Sequence, residues 1–159
     1  MSFDRVRHRM SRPWGFRLYL LHRVPLAALA GLRLEKLDAE ECRVSLPGGW
    51  RNRNPFGSTY FASQAMAAEA STGAPALALV ASAPVSISPI LREVHGSFLK
   101  KIVGPSLFVF SDVAAMRETV ERAAASPDSQ AFRARSTARD REGDLAAEFE
   151  LVWSFKRRS

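Results

Sequence analysis

The sequence predicts an α+β domain in which a mostly antiparallel sheet curves around one long, Ala-rich helix. Three observations lead there. Apolar residues alternate with polar ones at period two through residues 32–46 and again in the last third of the chain. A single stretch from Thr59 to Ser71 is dominated by alanine and carries no Pro or Gly before Gly73. The order is helix, hairpin, long helix, then a run of strands, which places one helix against a sheet. The chain has 159 residues, about the length of one domain. At that size a fold buries about 68–70% of its unfolded surface without disulfides or metals to hold it.

Each element has its own signal. Residues 1–12 are polar and expected to fray. Phe16, Leu18, Tyr19, Leu20, Leu21, Val24 and Leu26 to Leu29 form an apolar-rich helical segment, bent or restarted at Pro25. From Gly31 the period becomes two. Leu32, Leu34 and Leu37, then Cys42, Val44 and Leu46, read as a hairpin around a turn at Asp38 to Glu41. Trp50 to Ser58 is a loop rich in turn residues. The central helix follows, with Ser58 or Thr59 as candidate cap and Gly73 as candidate stop. So many small residues around one helix imply a sheet wrapped closely on it. Leu77 to Ala83 reads equally as helix end or strand. Ile90 to Ile102 reads as a long strand with a possible bulge at Gly96, and Leu107 to Val113 as its successor beyond Gly104-Pro105. Met116 to Ala125 is a polar helix in which Glu118 and Arg122 are spaced as a pair. Ala131 to Arg139 and Leu145 to Phe155 close the sheet, with Phe149, Leu151, Trp153 and Phe155 on one face. A basic N-terminal helical extension, residues 1–29, and one main domain, residues 30–159, are expected.

Composition excludes several classes. With 47% hydrophobic and 25% charged residues, the chain is neither collagen-like nor disordered. No run of 18 apolar residues is present, so no membrane-spanning helix is expected. A lone Cys42 rules out a disulfide framework and a thiolate zinc site. It alternates inward on a strand, as an inert core thiol does. His8, His22 and His95 are scattered, so no metal is expected, and a reducing, cytoplasmic setting is. The net charge is +7 and rests mostly on arginine, whose fork suits phosphate oxygens. Arg5, Arg7, Arg9, Arg12, Arg17 and Arg23 face only Asp4 in the opening segment. An Arg-rich opening can be an organellar presequence, but Pro13, Trp14 and Pro25 interrupt this one, and a surface helix with a basic face is expected. Aromatics are not interleaved with the basic residues on an exposed sheet, which argues against a nucleic-acid partner.

Residues Asn54-Pro-Phe-Gly57-Ser58-Thr-Tyr60-Phe61-Ala-Ser-Gln-Ala-Met-Ala-Ala-Glu69 resemble the loop-and-helix signature of hotdog-fold, acyl-thioesterase-like proteins. Ser97-Phe98-Leu99-Lys100-Lys101 with Gly104, and Asp140-Arg-Glu-Gly143 with Ala146-Ala-Glu148, resemble the same superfamily's later strand, turn and final hairpin. The resemblance covers roughly residues 30–155 and points to its uncharacterised thioesterase-like branch. It implies a homodimer, with a tetramer as the alternative assembly, sheets joined edge to edge and sites at the subunit interface. The implied ligand is an acyl chain on coenzyme A or an acyl-carrier pantetheine, with no cofactor. It implies the acid at Glu69, the amide at Asn54 and the glycine turn at Gly57 and Ser58. Where relatives often carry His after the Asn, this chain has Pro55. A non-catalytic acyl-coenzyme A or lipid-binding module is therefore the alternative to a hydrolase, and a membrane-surface role for the basic N-terminus is a further one.

The chemistry asks for a base or carboxylate nucleophile and for donors to a developing oxyanion. Glu69, the one acid on an Ala-rich helix, would have its pKa raised by desolvation. Backbone N–H groups of Gly57 and Ser58 are candidate oxyanion donors. Glu69 lies about 17 Å along the helix from Ser58 at ~1.5 Å per residue, so one subunit cannot bring both to one carbonyl. Antiparallel central helices in a dimer could. Tyr60 and Phe61 are candidate acyl-pocket residues, and Arg51, Arg53, Lys100 and Lys101 candidate phosphate ligands.

Overall fold

The computed structural model describes residues 3–10, 12 and 14–158. Apolar Phe3, Val6 and Met10 recur at helical spacing, and they bury one face of α1 (Phe3–Met10). The expectation of a frayed opening is thus corrected. Residues 1, 2 and 11 of that stretch, and Pro13, lie outside the described residues. Helices α2 (Gly15–Arg23) and α3 (Pro25–Ala30) follow, separated at Val24 because Pro25 starts a new helix at its first turn.

The hairpin β1 (Arg33–Leu37) and β2 (Cys42–Leu46) forms as its alternation predicts, with Cys42, Val44 and Leu46 fully buried. Asp38 organises its turn, accepting from the Glu40 and Glu41 amides at 2.9 Å. The Lys36 ammonium and those amides hold its carboxyl at about 2. A 3₁₀ turn at Trp50–Asn52 leads to the central helix α4 (Phe61–Ser82).

Helix α4 is longer than the sequence reading and takes in Leu77 to Ala83 up to Ser82. It passes through Gly73 and contains Pro75, although a mid-helix proline costs ~3 kcal/mol or more. Tertiary burial outweighs both, since Ala74, Pro75, Ala76, Ala78 and Leu79 all pack inward. Two buried hydroxyl contacts tie the helix to the sheet: Ser71 Oγ to Ser136 Oγ at 2.8 Å, and Trp153 Nε1–H to Thr72 Oγ1 at 3.0 Å.

The remaining elements are β3 (Ile87–Phe98), β4 (Ser106–Phe110), α5 (Val113–Ala125), β5 (Gln130–Arg139) and β6 (Leu145–Arg157). All six strands pair antiparallel in the order β1-β2-β4-β5-β6-β3. This curved sheet on one long helix is the hotdog architecture. Phe108, Phe110, Phe149 and Phe155 fill the concave side, each contributing ~1.5–3 kcal/mol of burial. On α5, Arg122 donates to Thr119 Oγ1 at 2.9 Å, and Glu118 is not its partner.

The long β3–β6 pair decides where the site can be. Its register slips between Leu91 and Glu93, not at Gly96. Val94, Gly96 and Phe98 therefore stand opposite Leu151, Phe149 and Ala147, on the concave face. Strand β3 is an edge strand, and its concave-face Val94 and Phe98 remain 50% and 51% exposed. A core face left open at a sheet edge is a surface that another chain can complete. Among the described residues, no helix is long and apolar enough to cross a membrane.

Candidate active site

The loop before α4 is built from its own polar side chains. Asn52 is buried, and its amide nitrogen donates to the carbonyls of Ala30 (2.8 Å) and Pro47 (2.9 Å), pinning the 3₁₀ turn. Asn54 Oδ1 accepts from the amides of Phe56 (2.9 Å) and Ser58 (3.1 Å), and its Nδ2 donates to Ser58 Oγ at 3.1 Å. The Gly57 amide donates to the Asn54 carbonyl at 3.1 Å. Gly57 turns the chain at φ +78°, a conformation that a Cβ disfavours.

These bonds change the expected roles. Asn54 organises the loop, because its carbonyl oxygen and one amide proton are spent there. The Gly57 and Ser58 amides are both engaged with Asn54, so they do not face an oxyanion. Neither Ser58 nor Thr59 caps α4; Tyr60 occupies the cap position without a side-chain bond. The helix's first amides, those of Phe61, Ala62 and Ser63, therefore have no helical acceptor and no side-chain cap. They are the donors a developing negative charge would meet.

Beside them lies a cavity of about 560 Å³. Phe56, Tyr60, Phe61 and Phe98 supply aromatic surface, and Asn54, Ser58 and Gln64 supply polar surface. Tyr60 and Phe61 stand edge to face, 4.9 Å between centroids. Gln64 escaped the sequence reading. It is buried, its Nε2 donates to the Thr59 carbonyl at 3.1 Å, and its Oε1 has no partner among the described residues. A buried amide oxygen left unpaired is costly. The sequence signal was a lone glutamine in the first turn of an alanine helix.

Glu69 is not among the residues lining that cavity. Its carboxylate lies over Gly73, where Oε1 would be 2.6 Å from an added Cβ and the Trp153 ring 3.5 Å from the same point. Burial raises its pKa, and among the described residues no cation offsets the shift. Tyr19, from α2, is close enough to sense it: burial first, and the Glu69 charge second, push the phenol up. One protomer thus carries two separate features: helix-end donors with a cavity, and a half-buried acid farther along the same helix.

The cation candidates separate. Lys100 Nζ lies 2.6 Å from Asp140, 2.8 Å from Asp144 and 3.5 Å from Glu142. Those hydrogen bonds raise its pKa, and the three carboxylates neutralise it as a phosphate ligand. The same ammonium fills the space between three acids whose oxygens lie within 4.8 Å of one another, so the cluster reads as an ion-paired turn. Arg51, Arg53 and Lys101 are exposed, with no acidic partner among the described residues. Burial pushes the Cys42 thiol far up, as for an inert core residue.

The model of the family described as "Domain of unknown function (DUF4442)" matches residues 12–154. No curated protein matches the sequence. Solved structures share the fold. A Pseudomonas aeruginosa protein of unknown function, described as a "Probable Thioesterase", is 19% identical with a TM-score of 0.69, covering 99% of this chain and 97% of that one. A protein of unknown function from Chlorobaculum tepidum is 11% identical with a TM-score of 0.79, covering 99% and 98%. A Staphylococcus aureus thioesterase enzyme, solved with a glutamine replaced by alanine, is 10% identical with a TM-score of 0.65, covering 84% and 99%. The same protein was also solved with a glutamate replaced by alanine.

Proposed function

The chain belongs to the DUF4442 family, and from its site we propose that it is an acyl-thioester hydrolase that works as a homodimer. The observation that carries this reading is Glu69, a half-buried carboxylate beside Trp153, seated over a glycine and without a counter-ion among the described residues. Folding gains nothing from such a group, whereas a base near neutral pH needs one. Fold likeness to thioesterases supports it. So does a spacing: in the Staphylococcus aureus protein the replaced glutamine and glutamate are fifteen positions apart, as Asn54 and Glu69 are here.

In this reading the open β3 edges join two copies, and the two α4 helices run antiparallel. A two-fold axis then brings the partner's acid to each helix-end pocket. The thioester carbonyl oxygen faces the amides of Phe61, Ala62 and Ser63. Glu69 takes a proton from water as its oxygen bonds to the carbonyl carbon. The tetrahedral adduct collapses by breaking the C–S bond, and the proton passes to the leaving thiolate. The alternative is direct attack by the carboxylate, giving a mixed anhydride that water cleaves. A single turnover in ¹⁸O-water reveals direct attack when water cleaves the anhydride at the Glu69 carbonyl, because the first acid released then carries a Glu69 oxygen and Glu69 takes up the label. Arg51, Arg53 and Lys101 hold the coenzyme A phosphates, while Phe56, Tyr60, Phe61 and Phe98 flank the pantetheine or acyl chain. We place the reaction in the cytoplasm, with a tetramer made of two dimers as a further assembly.

A panel of acyl-coenzyme A and acyl-carrier thioesters, read by thiol release, tests the assignment. Turnover abolished by Glu69→Gln in a folded dimer is the expected result. Pro55 and the missing imidazole favour the second reading, a non-catalytic acyl-thioester-binding module. Stoichiometric retention of an intact thioester, with no thiol released by the wild type, would establish that reading instead.

A further inference from the structure

Helices α2 and α3 have satisfied their inward faces, because Phe16, Leu20, Ala27 and Ala30 are all buried. Their outward faces are nevertheless apolar. Trp14, Leu18 and Leu21 recur at helical spacing and are 68%, 61% and 56% exposed, and Leu26 and Leu29 on α3 are 65% and 61% exposed. Scattered surface leucines need no explanation, but five large side chains on adjoining helix faces form a patch that marks an interaction. The face is distinct from the open β3 edge, since α2 packs near β1, the opposite edge strand.

Charge selects the occupant. No Asp or Glu occurs between Asp4 and Glu35, a stretch that holds seven arginines. Arg12, Arg17 and Arg23 are exposed around the apolar face, and among the described residues no carboxylate pairs with them. A second copy docking the same face across a two-fold axis would set arginine against arginine. An anionic bilayer accepts both components: phosphates meet the guanidinium groups, and the headgroup–acyl boundary takes leucines and an interfacial tryptophan. We propose that the outward face of α2 and α3 is a docking surface for anionic lipid bilayers, with Trp14, Leu18, Leu21, Leu26 and Leu29 entering the interface and Arg12, Arg17 and Arg23 set against lipid phosphates. The helices lie flat on the surface; none inserts across it.

Flotation of the 159-residue chain with phosphatidylcholine vesicles, plain or doped with phosphatidylglycerol, tests this. The wild type is expected to float with the doped vesicles at low salt and to be released by high salt. The triple variant Arg12→Gln, Arg17→Gln, Arg23→Gln should lose about 10²-fold in partitioning, at about a fivefold change per arginine. The triple variant Leu18→Ser, Leu21→Ser, Leu26→Ser changes only exposed positions. It should keep its circular dichroism and melting temperature yet fail to float even at low salt. The proposal is overturned if the folded wild type does not float with anionic vesicles, or if either variant floats undiminished. It is equally overturned if the leucine variant has a smaller sedimenting mass than the wild type, because the face would then join copies of the chain.

Discussion

Two groups of carboxylates in this molecule have opposite circumstances. Asp140, Glu142 and Asp144 sit on the β5–β6 turn around Lys100, whose hydrogen bonds lead the lowering of the Asp140 pKa. Glu69 sits on a helix packed by alanines, with an indole beside it and no cation among the described residues, and its pKa is raised by burial. The first group is accounted for by folding: each charge has a partner, and the turn is held by it. The second is not, since the folded state would be better off with a neutral side chain there. Placed side by side, they teach that a site shows itself by its cost to the fold, where an acidic cluster merely looks like one.

The sharpest way to break this contrast is Glu69→Gln. Turnover should fall at least ~10²-fold with KM little changed, while Asp140→Asn leaves turnover alone. Second in size is the open edge. Phe98→Asp, or Val94→Asp, should convert a sedimenting dimer into monomer and remove activity with it, because each pocket then lacks its acid. The third effect concerns pH. A carboxyl whose folded pKa is raised contributes stability that is full below its unfolded value and is lost as pH rises through the folded value. Glu69→Gln should therefore raise the melting temperature at neutral pH and not near pH 4, the ordinary glutamate range. Turnover of the wild type should climb through an apparent pKa above that range. Gln64→Leu comes next: it removes a buried amide oxygen without a partner but also the Nε2 bond to the Thr59 carbonyl, so the melting temperature should fall modestly, while KM rises if substrate supplies the missing donor. Smallest is Lys100→Ala. It should lower the melting temperature slightly, more at low salt than at high salt, and leave turnover unchanged.

Sequence pattern carried the sheet well, because Cys42, Val44 and Leu46, and Phe149 through Phe155, alternate against a face that is buried in fact. It misjudged places where long-range packing overrides local rules. Gly73 is a good local stop signal, yet the sheet covers the next two turns of α4 and keeps them helical through Pro75. The opening residues are rich in arginine, and Phe3, Val6 and Met10 are too sparse to announce a buried face before α4 and α5 are in place. Arg117 even stacks on Phe3, 4.7 Å from its ring centroid. At the site, the acid was legible because it is alone among alanines. The loop donors were not, since only the bonds of Asn54 reveal that Gly57 and Ser58 are occupied and that the first amides of α4 are free. Gln64 lacked any charge to draw attention. Lys100 looked like a phosphate ligand until the distant turn at Asp140 closed on it.

Glycine at position 73 has a consequence for anyone wishing to tune this protein. A glycine inside a helix forgoes about 1 kcal/mol of helix propensity relative to alanine, and here the vacated volume seats a carboxylate, with Oε1 2.6 Å from where a methyl carbon would stand. Position 73 is thus a mechanical dial on the acid's aim, separate from its charge. Gly73→Ala would tilt the Glu69 side chain off its seat while the residue stays ionisable, and Gly73→Ser would tilt it and offer it a hydroxyl. Displacement of one intact carboxylate by a single methyl group, read as the turnover of Gly73→Ala, would measure how narrowly the reaction depends on direction, and the serine variant would add the effect of a hydroxyl that lowers the acid's proton affinity.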